Sequence, residues 1–157
     1  MNTSPRIVIL GAGFAALTAV RELRRRLPKA RLTLVAPKAE FVFLPSLIWI
    51  PSGLRKGSDL VQPLAGFLDK HQVEFIPGRV TGLRDGGRTV LTDAGEVSND
   101  ALIIATGGRF IKKLPGIEHA LTLCEGVASA EAIRDRINAM QVGRIALGFG
   151  GNPNEPS

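Results

Sequence analysis

The chain has 157 residues, 45% of them apolar, and carries 20 Lys and Arg against 14 Asp and Glu for a formal charge of +6. This hydrophobic content excludes intrinsic disorder, and 18 Gly and 10 Pro without a repeat period point to tight turns rather than to a collagen-like chain. The single cysteine, Cys124, excludes an internal disulfide framework and a cysteine-rich zinc site; it fits a reducing compartment or a redox role, and no metal site is expected.

Residues 6–10 (RIVIL) read as a short strand without a polar face, the pattern of a central parallel strand covered on both sides. Arg6 followed by residues 7–20 has the charge, apolar length and small residues of a signal peptide. Two glycines two positions apart interrupt it, however, and charged helix residues follow directly. Gly11-Ala12-Gly13 ends the strand, and the spacing of Leu17, Val20, Leu23 and Leu27 predicts a helix stopped by Pro28. Residues 31–35 (RLTLV) are the next strand, which completes a right-handed βαβ unit. Arg21, Arg24, Arg25, Arg26, Lys29 and Arg31 cluster at and after the helix end, where cations complement the carbonyl pole. They read as a solvated face. No base-stacking aromatics are interleaved with them, so a nucleic-acid partner is not expected.

Residues 37–51 form a loop-like apolar segment, and 60–71 read as a short helix before a strand at 73–76. Three short antiparallel strands at 79–83, 89–92 and 96–98 are joined by Asp85-Gly86-Gly87 and Asp93-Ala94-Gly95. A buried strand at 101–105 runs into Thr106-Gly107-Gly108. After a Pro/Gly link at 114–116 the pattern turns helical over 128–140, and 144–147 open a further strand that reaches Gly148-Phe149-Gly150-Gly151. A parallel strand without its crossover helix leaves one sheet face uncovered, so the chain is expected to be a fragment of a longer protein. No stretch reaches the roughly 18 apolar residues of a membrane span. The expected fold is α/β: an incomplete Rossmann-like fold with a parallel sheet, helices and a small antiparallel meander.

Gly11-Ala12-Gly13-Phe14-Ala15-Ala16 matches G-x-G-x-x-G/A where the mechanism requires it, after a buried strand and at the opening of a helix. Gly11 permits the tight turn, Gly13 admits a pyrophosphate to the backbone, and Ala16 lets helix and strand pack closely. The helix N-terminus then offers free N–H groups and a positive dipole end. An acidic residue is expected roughly 20 positions on to accept the ribose hydroxyls. That place is held by Ala36, followed by Lys38, which suits the 2′-phosphate of NADP; Glu40 could substitute if the loop folds back.

With these motifs on it, the chain resembles the two-dinucleotide-domain flavoproteins of the pyridine nucleotide-disulfide oxidoreductase family, and within them the sulfide:quinone reductases and flavocytochrome c sulfide dehydrogenases. The resemblance is carried by RIVILGAGFAALTAVREL, AEFVFLPSLIWIPSG, VEFIPGRVTGL, ALIIATGGRF with its LPG sequel, LTLCEGVASAEAI and GRIALGFGG. It implies that residues 1–113 are the N-terminal part of an FAD-binding domain and that 114–157 are the linker, helix and first strand of a second nucleotide-binding domain. Gly11, Gly13 and Ala16 would hold the FAD pyrophosphate. Ala36 and Pro37 would line the adenosine ribose, and a family member is also non-acidic there. Val80 would meet the adenine through its main chain, Ala105, Thr106 and Gly107 would pass alongside the cofactor, and Pro45 would approach the flavin.

Phe41, Phe43, Leu44, Leu47, Ile48 and Trp49 have two readings, a buried lid that keeps water from the flavin or part of a quinone pocket. An isolated fragment would expose this surface and self-associate. Cys124 falls where the family carries a cysteine; it is either a structural buried thiol or a redox group, the catalytic candidate. The family's sulfide chemistry uses a cysteine pair beside the flavin, one member just after the second glycine turn, and residues 148–157 contain none. Sulfide is weakened as the donor accordingly. The expectation is an FAD-dependent oxidoreductase that passes electrons from a small-molecule donor to a quinone-like acceptor, cytoplasmic, with peripheral membrane association in full-length form and no turnover by the fragment alone. The alternatives are an NAD(P)H-using flavoprotein of the type II NADH dehydrogenase kind and a non-catalytic NADP-binding module.

Overall fold

In the computed structural model, which describes residues 4–108 and 115–148, the elements follow in the order β1 (Arg6–Leu10), α1 (Phe14–Arg26), β2 (Arg31–Ala36), β3 (Glu40–Val42), β4 (Val61–Pro63), α2 (Ala65–His71), β5 (Val73–Pro77), β6 (Val80–Arg84), β7 (Thr89–Thr92), β8 (Gly95–Ser98), β9 (Ala101–Ile104) and α3 (Val127–Asn138). They divide into two units. The described residues of the first are 4–42 and 61–108, and those of the second 43–60 and 115–148.

The first unit is built on a parallel sheet in the order β5-β2-β1-β9. Its central strand explains the apolar run of the sequence, because successive side chains enter two different cores. Ile7 and Ile9, with Leu32 and Leu34 of β2, pack with Ala16 and Val20 of α1 and with Leu64 and Leu68 at α2. Val8, Leu10 and Val35 point the other way, onto Val90, Val80 and Val97 of the antiparallel meander β6-β7-β8. Helices therefore cover one face and the meander the other. This is the α/β, Rossmann-like arrangement read from the sequence, and a strand buried on both sides has no position left for a polar residue.

Three expectations are corrected here. The helix expected over 60–71 starts only at Ala65. Residues 61–63 instead pair antiparallel with β3, Glu40 opposite Pro63 and Val42 opposite Val61. Proline biases the residue before it toward extended backbone, which explains why the helical pattern is overridden ahead of Pro63. The arginine cluster is not uniformly solvated. Arg25 and Arg26 do pair with Glu22 at the surface, whereas Arg24 is half-buried and caps carbonyls: Nε donates to His71 (2.8 Å), Nη1 to Pro28 (2.7 Å) and Ala30 (3.0 Å), and Nη2 to Gln72 (3.0 Å). One side chain thus ties the end of α1 to the end of α2.

In the second unit, residues 43–60 wind through two 3-10 turns, Leu44–Trp49 and Gly57–Leu60. The chain packs closely on α3 at Gly57, where an added Cβ would lie 2.3 Å from Val127 Cγ1 and 2.7 Å from Glu131 Oε1. The third correction concerns residues 144–147, expected to be a strand. They form no ladder with any described strand, and Leu147 is exposed, so the apolar run lacks the partner backbone that defines a strand. Leu114 and the glycine turn at 149–151 lie outside the described residues.

Candidate dinucleotide-binding site

The strand order sets the place of the site. The connection β1-α1-β2 runs to one side of β1 while β9 lies on the other, so the carboxyl ends of β1 and β9 flank the crevice where open α/β sheets bind ligands. Gly11 and Ala105 stand at those ends. The Gly11 N–H donates to the Val35 carbonyl (2.8 Å) and the Ala105 N–H to the Leu10 carbonyl (2.9 Å), which continues both ladders by one bond. Gly11 has φ +106°, and a Cβ built on it would sit 2.3 Å from the Ala105 carbonyl oxygen. Two independent reasons, conformation and contact, exclude any side chain there.

Gly13 is constrained differently. It is the N-cap of α1 at φ −87° and ψ −173°, an ordinary extended conformation, and a Cβ there would meet nothing within 4 Å. Glycine at this position leaves a space open above the helix end. No side chain caps that end, and the first turn carries no acidic residue. Its amide pole is therefore left for an anion. Ala16, fully buried, lets α1 settle onto Ile7 and Ile9. These residues fit a dinucleotide pyrophosphate: an open space over Gly13, an uncapped helix N-terminus, and a floor made of the Gly11 and Ala105 backbones. The cradle segments, 11–16 and 105–107, contain no titratable side chain. The shifted groups lie elsewhere. Hydrogen bonding to Arg6 holds the Asp100 carboxyl below its usual range, and burial, helped by Lys70, Arg21 and Arg24, lowers His71.

Gly11, Gly13, Ala16 and Ala105 are thus brought together, with exposed Thr106 and Gly107 directly following. Ala36 ends β2 with its side chain buried and its carbonyl accepting the Gly78 N–H (3.0 Å); Pro37 after it is exposed. Lys38 Nζ lies 3.9 Å from Glu40 Oε2, both at the surface. Val80 opens β6, and its side chain packs against the meander-side core. Sequence reasoning missed a contact beside the cradle: the rings of Phe14 and Phe41 meet edge to face, centroids 4.8 Å apart and planes at 84°. No local periodicity links positions 14 and 41.

Pro45 and Cys124 belong to the second unit. Pro45 is exposed in the first turn of the Leu44–Trp49 segment. Leu47 and Ile50 are buried there, while Phe43, Leu44, Ile48 and Trp49 are open to solvent. Of the six residues given two readings, Leu47 is buried and Phe41 partly so, and the exposure of the other four agrees with the surface expected of an isolated fragment. Cys124 is exposed, in a 3-10 turn capped by Thr122 Oγ1, which accepts the Cys124 N–H at 3.2 Å. The buried structural thiol is corrected accordingly, since a capped turn at the surface leaves its side chain in water. Among the described residues no group of His, Cys, Asp and Glu could hold a metal ion.

The family described as pyridine nucleotide-disulphide oxidoreductase matches residues 5–147. The sulfide-quinone reductase of Aquifex aeolicus (strain VF5) is 31% identical over 117 residues, 74% of this chain and 27% of that protein. The nitric oxide reductase FlRd-NAD(+) reductase of Escherichia coli O9:H4 (strain HS) is 31% identical over 149 residues, 90% of this chain and 40% of that one. The chain therefore spans well under half the length of these relatives. Among solved structures, the sulfide:quinone oxidoreductase from Aquifex aeolicus superposes with a TM-score of 0.79 at 28% identity, covering 86% of this chain and 32% of that one. NDH2 from Plasmodium falciparum in complex with NADH gives 0.71 at 18% identity, covering 90% and 32%, a likeness of fold.

Proposed function

The chain belongs to the pyridine nucleotide-disulphide oxidoreductase family, and from that premise we propose that it is the FAD-holding amino-terminal part of an oxidoreductase resembling sulfide:quinone reductase, which takes electrons from a reduced small molecule and delivers them to a quinone-like acceptor. FAD is the cofactor of the family; bound, it supplies the two-electron redox chemistry, and the protein supplies binding and orientation. The observation that carries the reading is the open cradle between Gly13 and the Gly11–Ala105 contact at the switch point of the sheet.

In this reading the first-turn amides of α1 hold the pyrophosphate, with Gly11 and Gly13 keeping side chains out of its path and Ala16 bringing the helix close. Ala36 and Pro37 line the adenosine ribose, the Val80 main chain meets the adenine, and Ala105, Thr106 and Gly107 run alongside the cofactor. Pro45 approaches the flavin, and Cys124 is the thiol that could meet the donor. Residues 1–113 belong to the FAD-binding fold and 114–157 begin a second one. The whole protein acts in the cytoplasm, peripheral to the membrane; among the described residues no helix is long and apolar enough to cross one.

A second reading, in which NADH is the donor, is supported by the FlRd-NAD(+) reductase relatives, whose match extends over 90% of the chain. A third, a non-catalytic NADP-binding module, is supported by neutral Ala36 and exposed Lys38. Calorimetry with FAD and with NADPH separates the last from the others. FAD binding with little NADPH affinity is expected, and tight NADPH binding without FAD overturns the leading reading. Anaerobic bleaching of the flavin by NADH but not by sulfide would move the assignment to the second.

A further inference from the structure

The edge-to-face contact of Phe14 and Phe41 places an aromatic ring where hydrophobic burial alone does not require one. Phe14 is the first residue of α1, directly after Gly13, and is 52% exposed. A phenylalanine left half in water gives up much of the benefit that burial confers on that side chain. Its ring nevertheless meets Phe41 in the T-shaped geometry that aromatic quadrupoles favour. Phe41 is the middle residue of β3, opposite Gln62 of β4, and it packs against the core that holds Ile7, Ile9 and Ala16. The β3-β4 ladder is fixed in turn by the Leu64 N–H, which donates to the Ala39 carbonyl (2.9 Å). The ring pair thus joins the first turn of the helix to a hydrogen-bonded ladder anchored in the core.

That turn is the part of the helix whose aim matters. The field of a helix end falls off within its first turn, and N–H groups bind a phosphate only while they point at it. Gly11 fixes the strand side of the cradle by its contact with Ala105, but Gly13 has no side chain with which to steady the helix side. We propose that Phe14 is a positioning residue for the bound dinucleotide: its ring, held by Phe41, fixes the first turn of α1 so that the amides stay aimed at the pyrophosphate. The inference deepens the FAD reading above and rests on it.

The test is a double-mutant cycle on the full chain, with FAD affinity read from quenching of flavin fluorescence and the thermal midpoint of each apo protein recorded alongside. Phe14→Ala and Phe41→Leu should each weaken FAD about threefold to tenfold, the range an aromatic pair contributes. The double variant should bind within about twofold of either single one, because both remove the same contact. Phe14→Tyr, which keeps the ring, should restore affinity, and Phe14→Ala should lower the apo midpoint by only a few degrees, the worth of one aromatic pair, so that lost affinity is not lost folding. Wild-type affinity in Phe14→Ala, or losses that multiply in the double variant, would overturn the positioning role while the FAD reading stands. A wild-type chain that binds no FAD overturns both.

Discussion

A methyl group placed on Gly11 would lie 2.3 Å from the carbonyl oxygen of Ala105, and the same glycine holds φ at +106°. The carbonyl belongs to backbone just beyond β9, with the Ala105 N–H bonded to Leu10, so it cannot swing aside as a flexible side-chain tip could. Gly11→Ala is therefore expected to strain the turn and push the two strand ends apart. The cost should be at least about 1–3 kcal/mol by urea unfolding, with FAD affinity falling in parallel. A variant as stable as wild type would show that the two strand ends are not in this contact.

Gly13 should behave in the opposite manner. Its backbone conformation suits any residue, and a Cβ there meets nothing within 4 Å. Gly13→Ala is expected to fold with a midpoint close to wild type and to lose FAD binding by about tenfold or more, since the methyl group fills the space the phosphates need. Gly13→Asp makes the contrast sharper. An aspartate at this uncapped N-cap should raise apo stability by about a few tenths of a kcal/mol. It should also abolish cofactor binding, by placing a carboxylate where the pyrophosphate would lie. Thermal melts with and without FAD read both effects.

Arg24 and Arg25 are neighbours in a basic run, yet their removal should differ. Arg24 donates to the carbonyls of His71, Pro28, Ala30 and Gln72, whereas Arg25 pairs with Glu22 in solvent. Arg24→Ala leaves carbonyls at two helix ends without their donor and is expected to cost about 1–3 kcal/mol. Arg25→Ala should cost less than about 0.5 kcal/mol. Arg24→Lys should recover only part of the loss, because an ammonium cannot reproduce a planar fork aimed at several acceptors. Midpoints of urea unfolding compare the three.

Arg24 and Arg25 also show where a sequence stops being legible. The β1-glycine-α1 unit could be read directly, because burial on both faces forces an unbroken apolar strand and a phosphate cradle forces glycine at fixed spacing. The meander was equally open, since Asp85-Gly86-Gly87 requires the positive φ that the turn adopts. A helix terminus rich in arginine, by contrast, looks solvated whether its guanidinium groups reach water or carbonyls 47 and 48 positions away. The β3-β4 pairing was hidden for the same reason: Phe41 and Gln62 are joined by a ladder, and neither three-residue strand has enough length to display a period. At the site, Gly11 and Gly13 could be named from local rules and Ala105 from the family resemblance, while the Phe14–Phe41 contact depends on tertiary packing alone.

Cys124 offers the remaining prediction, because exposure and chemistry can be measured separately. Its turn is capped by the Thr122 hydroxyl through the Cys124 N–H, a bond that uses the backbone and leaves the thiol free of any structural task. The folded chain should therefore react with a thiol reagent without added denaturant, and Cys124→Ser should leave the midpoint within about 0.5 kcal/mol of wild type, as for surface substitutions generally. Protection from the reagent in the folded state would contradict the exposed placement. The redox role is then tested in the FAD-loaded full-length enzyme, where flavin reduction by sulfide or another thiol-dependent donor should be much slower in Cys124→Ser than in wild type. Equal rates would remove the thiol from the reaction and favour a donor, such as NADH, whose electrons need no sulfur carrier.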